Sequence, residues 1–387
     1  MESYKQQRFS EKIGSPFVNH ATKCQNRIRG LPTPSPWDYR KDIFLLDTSN
    51  SVNRKSILDS MSLSSQPDVQ SIHRQIPEFA HKIKPLLKDT PLLHSPYYSD
   101  LTGANVFFKY ENLQATGSFK IRGAAAKLLG MSKETLANGI VTASTGNHGK
   151  AVAFAAQSLE VTPTIYAPTG TDPVKSAAIT QLGGRVIFAG SDCVDTELIA
   201  IERALKNNAT YVAPYNDLEV IAGQGTLGLE ISDQLDTVDA VFLSMGGGGL
   251  ASGVGAYLKT EIPNCKIIGC SPKNSCVLIK SLEAGKLLPF PSTATLSDGT
   301  AGGVEPGSIT FPLCQKIIDQ CCTVSETEIK AELIRFMKNK NNAIEGAAAV
   351  AIAGLQKSRR TFKDQNVVVL LCGGNISSET LDKLGLS

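Results

Sequence analysis

The sequence lacks any apolar run of about eighteen residues, the length a membrane-spanning helix needs. Its N-terminus lacks the apolar stretch of a secretory signal, and Glu2, Glu11 and Asp38 weaken a transit-peptide reading. Neither sign of charge dominates: 39 Lys and Arg against 36 Asp and Glu leave a net charge of +3. That is too little to argue for nucleic acid or a membrane surface as partner. The nine cysteines are odd in number and lack CxxC spacing. The adjacent pair Cys321-Cys322 suits neither a zinc site nor an ordinary disulfide framework. The cysteines therefore read as reduced, buried residues of a cytoplasmic protein.

What is present divides the chain. Residues 1–70 are rich in Ser, Asn, Pro and Gln, with few sustained apolar periods, and read as a disordered N-terminal extension. From Ser71 the pattern tightens: Ile72, Ile76, Phe79 and Ile83 recur at helical spacing. Strand-like runs then alternate with Ala- and Leu-rich helical blocks. The runs are Asn105–Tyr110, Gly139–Ala143, Thr164–Ala167, Val186–Ala189, Tyr211–Ala213, Val238–Met245, Lys266–Cys270 and Asn366–Cys372. Continuous Val, Ile and Leu in such strands predict an α/β fold, with mostly parallel sheets covered by helices on both faces. Ligands of such folds bind beyond the carboxyl ends of the strands.

Four motifs fall at such places. Thr116-Gly117-Ser118-Phe119-Lys120-Ile121-Arg122-Gly123 sets a lysine among tight-turning residues before a run of helix formers. A solvated lysine is the common reading; a lysine that condenses with a carbonyl cofactor is the sharp one. Ser144-Thr145-Gly146-Asn147-His148-Gly149 places hydroxyls, an amide and an imidazole at a helix start, where free N–H groups attract an anion. Capping alone explains one hydroxyl but not the amide and ring beside it. Gly246, Gly247, Gly248 and Gly249 end a strand in the form of a phosphate cradle. No GK[ST] follows, so the run is not a P-loop. Cys372 closes the last strand, where a thiol is a weak, nearly neutral partner for a ring nitrogen. A lysine, an anion-binding turn, a phosphate cradle and a weak ring-nitrogen partner together describe a site for pyridoxal 5'-phosphate.

With Gly223-Gln224-Gly225-Thr226 and Cys372-Gly373-Gly374-Asn375, these motifs resemble those of the fold-type II pyridoxal-phosphate enzymes, which share the tryptophan synthase β-like plan. The resemblance covers about residues 71–386 and is to the serine/threonine dehydratase and serine racemase branch. In the Asn147 motif it is nearest the dehydratases of hydroxyectoine utilisation. It implies a large cofactor-binding domain, 71–138 with 217–387, and a small domain, 139–216. It implies that Lys120 holds the cofactor, Phe119 packs beside the ring and Asn147 bonds its phenolic oxygen. Gly246, Gly247, Gly248 and Gly249 would take the phosphate. Cys372 would face the ring nitrogen, and Glu345 matches a glutamate near the cofactor. Ser144, Thr145 and His148 would bind the substrate carboxylate, and Asp298-Gly299 would border the pocket. Ser271 and Val277 stand where metal-dependent relatives carry acidic ligands, so no metal is expected.

The expected reaction is loss of water and ammonia from L-threonine or L-serine to give a 2-oxo acid, with Lys120 as general base. Two alternatives use the same pocket. One is racemisation, with the Thr145 hydroxyl as acid and base on the far face. The other is β-replacement of the cysteine synthase type, which His148 disfavours. A binding protein with a dead site is unlike a chain that keeps Lys120 with all the other parts. The resemblance also implies a homodimer acting on a small amino acid.

Overall fold

The central strands are apolar because both of their faces are covered. The computed structural model describes residues 68–340 and 342–386. Among them ten strands alternate with helices: β1 (Leu92–His94), β2 (Asn105–Lys109), β3 (Ile140–Ala143), β4 (Thr164–Ala167), β5 (Arg185–Phe188), β6 (Thr210–Tyr211), β7 (Ala240–Ser244), β8 (Lys266–Pro272), β9 (Gln320–Val324) and β10 (Asn366–Leu370). They form two sheets, ordered β1-β2-β10-β7-β8-β9 and β5-β4-β3-β6. Every pairing is parallel except β1 with β2. All five residues of β7 are buried, as a strand sandwiched by helices requires. The helix Gly346–Lys357 is apolar nearly all round, and its first ten residues are buried.

Glycines let three helices close on one another behind the Lys120 motif. A Cβ on Gly223 of the helix Leu218–Gln234 would lie 2.6 Å from the Ala126 Cβ and 2.7 Å from the Arg122 carbonyl. One on Gly253 of the helix Gly249–Glu261 would lie 2.2 Å from the Ile221 carbonyl. Beside this contact lies a buried ion network. Arg122 bonds Glu111 and Glu230 at 2.7 Å each, and Lys109 bonds Glu230 at 2.7 Å. Lys109, Glu111 and Arg122 are fully buried. Two cations against two carboxylates leave no net charge, the condition under which such burial is tolerated. The network fixes the helix Lys120–Gly130 only two residues past the lysine.

Three expectations change. β1 and β9 are strands that the apolar runs did not announce; both lie at sheet edges, where a strand is less enclosed and carries less apolar sequence. Cys321 is exposed and Cys322 half-buried because they lie on edge strand β9, and Cys193 is exposed, so these three are not the buried cysteines expected. All eight described cysteines are free. The helix Val69–Ile83 begins inside the expected extension, with Asp68 before its first turn. The rest of that extension, residues 1–67, lies outside the described residues.

Candidate active site

The Lys120 loop is clamped to the turn that follows β10. The Phe119 N–H donates to the Cys372 carbonyl at 3.0 Å, and the Gly374 N–H to the Gly117 carbonyl at 2.9 Å. Ser118 and Gly373 form an antiparallel bridge. Gly117 has φ +74°, and a Cβ there would meet the Asn375 side chain at 2.8 Å, so the turn requires glycine. These contacts present Lys120 at the first position of its helix. Its Nζ donates to the Pro214 carbonyl at 2.7 Å and lies 5.4 Å from the Phe119 ring centre. Burial around the amine pushes its pKa down to about 8, against the opposing pull of the Glu345 carboxylate. A lysine so placed has a usable fraction of neutral amine, as a carbonyl-condensing lysine needs.

Around it the structure gathers most of the residues singled out in the sequence. Asn147 opens the helix Asn147–Gln157 and donates through Nδ2 to both oxygens of Glu345 at 2.9 Å. Glu345 also accepts the Asn375 N–H at 3.2 Å. Burial raises the Glu345 carboxyl to about 7, against the lowering effect of the Asn147 hydrogen bond. A Cβ on Gly373 would lie 2.6 Å from this carboxylate, so glycine makes room for it. Cys372 is buried, and burial raises its thiol well above the ordinary value, so it stays neutral.

The glycine run is walled in on its outer side. A Cβ on Gly246 would come within 2.8 Å of the Thr300 carbonyl, and one on Gly247 within 2.5 Å of the Tyr215 ring. Gly248 has φ +88° and caps the helix Gly249–Glu261. Thr310 donates to the Gly247 carbonyl at 2.6 Å and holds the turn. The first N–H groups of that helix have no carbonyl partner within it, so the loop can offer donors to an anion. A second helix start lies at Gly146–Asn147. There the Ser144 hydroxyl accepts the Gly146 N–H at 3.2 Å, and Thr145 is half-buried between them.

His148, expected to bind the substrate carboxylate, is buried in the first turn of the helix Asn147–Gln157 with its ring against the Val212 carbonyl. Its Nε2 lies 3.0 Å from the Val212 carbonyl, which can only accept, so Nε2 carries the proton. Burial and the nearby Lys120 charge push its pKa down to about 3, which keeps the ring neutral. Nδ1 is then an acceptor, buried and unpartnered. What His148 can offer a carboxylate is its main-chain N–H. Ser271 turns its hydroxyl to the Met245 carbonyl, and Val277 is buried at the start of the helix Val277–Ala284. Among the described residues no group of three or more His, Cys, Asp or Glu side chains could hold a metal ion. The sequence reading gave no role to Lys150, Asn375, Tyr215 or Thr300. Asn375, Tyr215 and Thr300 stand tight against Gly117, Gly247 and Gly246, where no side chain would fit; Lys150 had no such signal.

An enclosed lysine with a lowered pKa, two helix starts with free N–H groups and a loop that only glycine fits suit a phosphate-bearing carbonyl cofactor. Comparison with known proteins agrees. Residues 83–373 match the family described as pyridoxal-phosphate dependent enzyme. The chain is 36% identical to the L-threonine ammonia-lyase of Geobacter sulfurreducens over 79% of this chain and 76% of that protein. It superposes on the processed threonine deaminase isoform 2 of Solanum lycopersicum with a TM-score of 0.77 at 33% identity, covering 84% of this chain and 90% of that one. It superposes on maize serine racemase with a TM-score of 0.76 at 28% identity, covering 82% and 97%. Since the match runs from the first described helix to the turn after β10, the chain belongs to the pyridoxal-phosphate dependent enzymes, in their fold-type II branch.

Proposed function

We propose that the protein is an ammonia-lyase that converts L-threonine to 2-oxobutanoate and ammonia, and L-serine to pyruvate and ammonia. The observation that carries this reading is the enclosed Lys120 amine, pushed down to about 8, close enough to the first turn of the helix Asn147–Gln157 for its charge to act on His148. When bound, pyridoxal phosphate supplies an electron sink for the Cα carbanion. Lys120 would hold the cofactor at its carbonyl carbon, and its amine, when free, would accept the Cα proton as general base. Gly246 to Gly249 hold the phosphate through main-chain N–H groups. The N–H groups of Asn147 and His148, with Ser144 and Thr145, orient the substrate carboxylate. Asn147 and Glu345 hold the phenolic oxygen side. Cys372, as a buried neutral thiol, would stand beside the ring nitrogen without forcing a proton onto it, and the proton that Lys120 takes from Cα would be available to the departing β-hydroxyl, which leaves as water. One water leaves and one returns on hydrolysis, so the net products are the 2-oxo acid and ammonia.

The similarity to maize serine racemase supports a second reading, in which the Thr145 hydroxyl returns a proton on the opposite face. Its β-branch restricts χ1 and favours the carboxylate role instead. A 2-oxo acid assay and chiral chromatography on one reaction with L-serine separate the two. Pyruvate in clear excess over D-serine is expected, and Thr145→Ser should raise the racemised share. Mostly D-serine from the native protein would overturn the lyase reading.

The segregation of β3 to β6 in their own sheet supports a small lobe of residues 139–216 against a larger one of 71–138 and 217–387. The free thiols support a cytoplasmic site of action. Among the described residues no helix is long and apolar enough to cross a membrane. A homodimer remains the assembly we propose, to be checked by sedimentation.

A further inference from the structure

Lys150 lies one turn beyond Asn147 on the same helix face, half-buried, and has no role in the reading above. Its Nζ donates to Asn375 Oδ1 at 3.0 Å. Asn375 Nδ2 in turn donates to Asn147 Oδ1 at 2.6 Å and to the Thr116 carbonyl at 2.9 Å. Asn147 Nδ2 then donates across the two Glu345 oxygens. An amide side chain can turn end for end at little cost unless its neighbours forbid it. Here they do: the Thr116 carbonyl only accepts and the Lys150 ammonium only donates, so the two hold Asn375 in one orientation from opposite ends. That orientation agrees with the one the Glu345 carboxylate imposes on Asn147, whose Oδ1 accepts from Asn375 while its Nδ2 donates to Glu345.

We propose that Lys150 is a positioning residue, which with the Thr116 carbonyl clamps Asn375 and so steadies the amide relay ending in the Asn147 donor. The inference rests on the reading of Asn147 as the partner of the cofactor's phenolic oxygen. Lys150 also places a cation beside Glu345, whose other charged or titratable neighbours are Asp298, Lys120, Lys175 and Cys372. Removing a cation raises the pKa of the groups around it. Lys150 thus has two separable effects, the clamp on Asn375 and charge.

The test uses reconstituted holoenzyme of Lys150→Met, Lys150→Gln and Lys150→Arg, with Asn147→Ala as reference. Two quantities are read: the cofactor dissociation constant, and the pH midpoint of the bound cofactor's visible band. Lys150→Met loses donor and charge, so cofactor affinity should fall about tenfold. Its band midpoint should move up by about one pH unit. Lys150→Gln keeps a donor, so affinity should stay within about threefold while the midpoint still rises. Lys150→Arg should restore both. If Lys150→Met matches the wild type in both readouts while Asn147→Ala alters the band, the relay is overturned and the cofactor reading stands. If Asn147→Ala leaves the band unmoved, the cofactor reading of Asn147 fails and takes the relay with it. Should Lys150→Met not fold, the split between the Gln and Arg variants decides: equal midpoints in the two would overturn the role of the charge.

Discussion

The Lys120 amine titrates near 8 instead of its ordinary 10.5, because the protein encloses it. At pH 7 about 9% of it is neutral, against about 0.03% for a solvated lysine, so the nucleophilic form is enriched about 300-fold. Capture of added cofactor by the apoenzyme should follow this fraction. Stopped-flow absorbance should show a rate rising about tenfold per pH unit up to about pH 8, then levelling. A rate that climbs unbroken to about pH 10 would refute the reasoning, because the amine would then be solvated. The same depressed pKa has a consequence for stability. Below about pH 8 both folded and unfolded chains hold the proton, and the folded one does so unfavourably. Between about 8 and 10.5 only the unfolded chain holds it, so apoenzyme stability should rise with pH across that window. Lys120→Met, similar in volume, removes the enclosed cation but leaves the Pro214 carbonyl without its donor. With partial solvent access to the half-buried residue, the net effect at pH 7 is a gain of about 2 kcal/mol in apoenzyme stability. Urea unfolding of both proteins measures it, and a less stable Lys120→Met would contradict the account.

Gly247→Ala would put a methyl within 2.5 Å of the Tyr215 ring, so the cradle must shift. Cofactor affinity, followed by fluorescence quenching, should drop at least about tenfold. Chelation should leave 2-oxo acid formation within about twofold of its starting rate, since Ser271 and Val277 offer no carboxylate. Loss of most activity, restored by magnesium or calcium, would show that cations act here. Glu111→Gln breaks a fully buried pair with Arg122 and should cost about 3–5 kcal/mol in urea unfolding. A change within about 1 kcal/mol would mean that Glu230 neutralises Arg122 unaided.

The sequence by itself determined the α/β plan and the parts of the site, because both are written in local patterns. Val367-Val368-Val369 in β10 and Val241-Phe242-Leu243 in β7 announce strands buried on both faces. The lysine, the Asn147 turn and the glycine run each sit at the start of a helix, so their chemistry was legible before their positions were. The edge strands β1 and β9 were not legible, because an edge needs little apolar content. Nor was the fate of His148, whose ring is committed to the Val212 carbonyl across 64 residues of chain. Only the tertiary structure decided which groups are charged and which way the amides face. Glu345 meets Asn147 across 198 residues, and Lys150 meets Asn375 across 225. Burial and partner polarity set the state of each, and both depend on what the fold brings alongside. A residue's type gives its range of chemistry; enclosure and neighbours choose within that range.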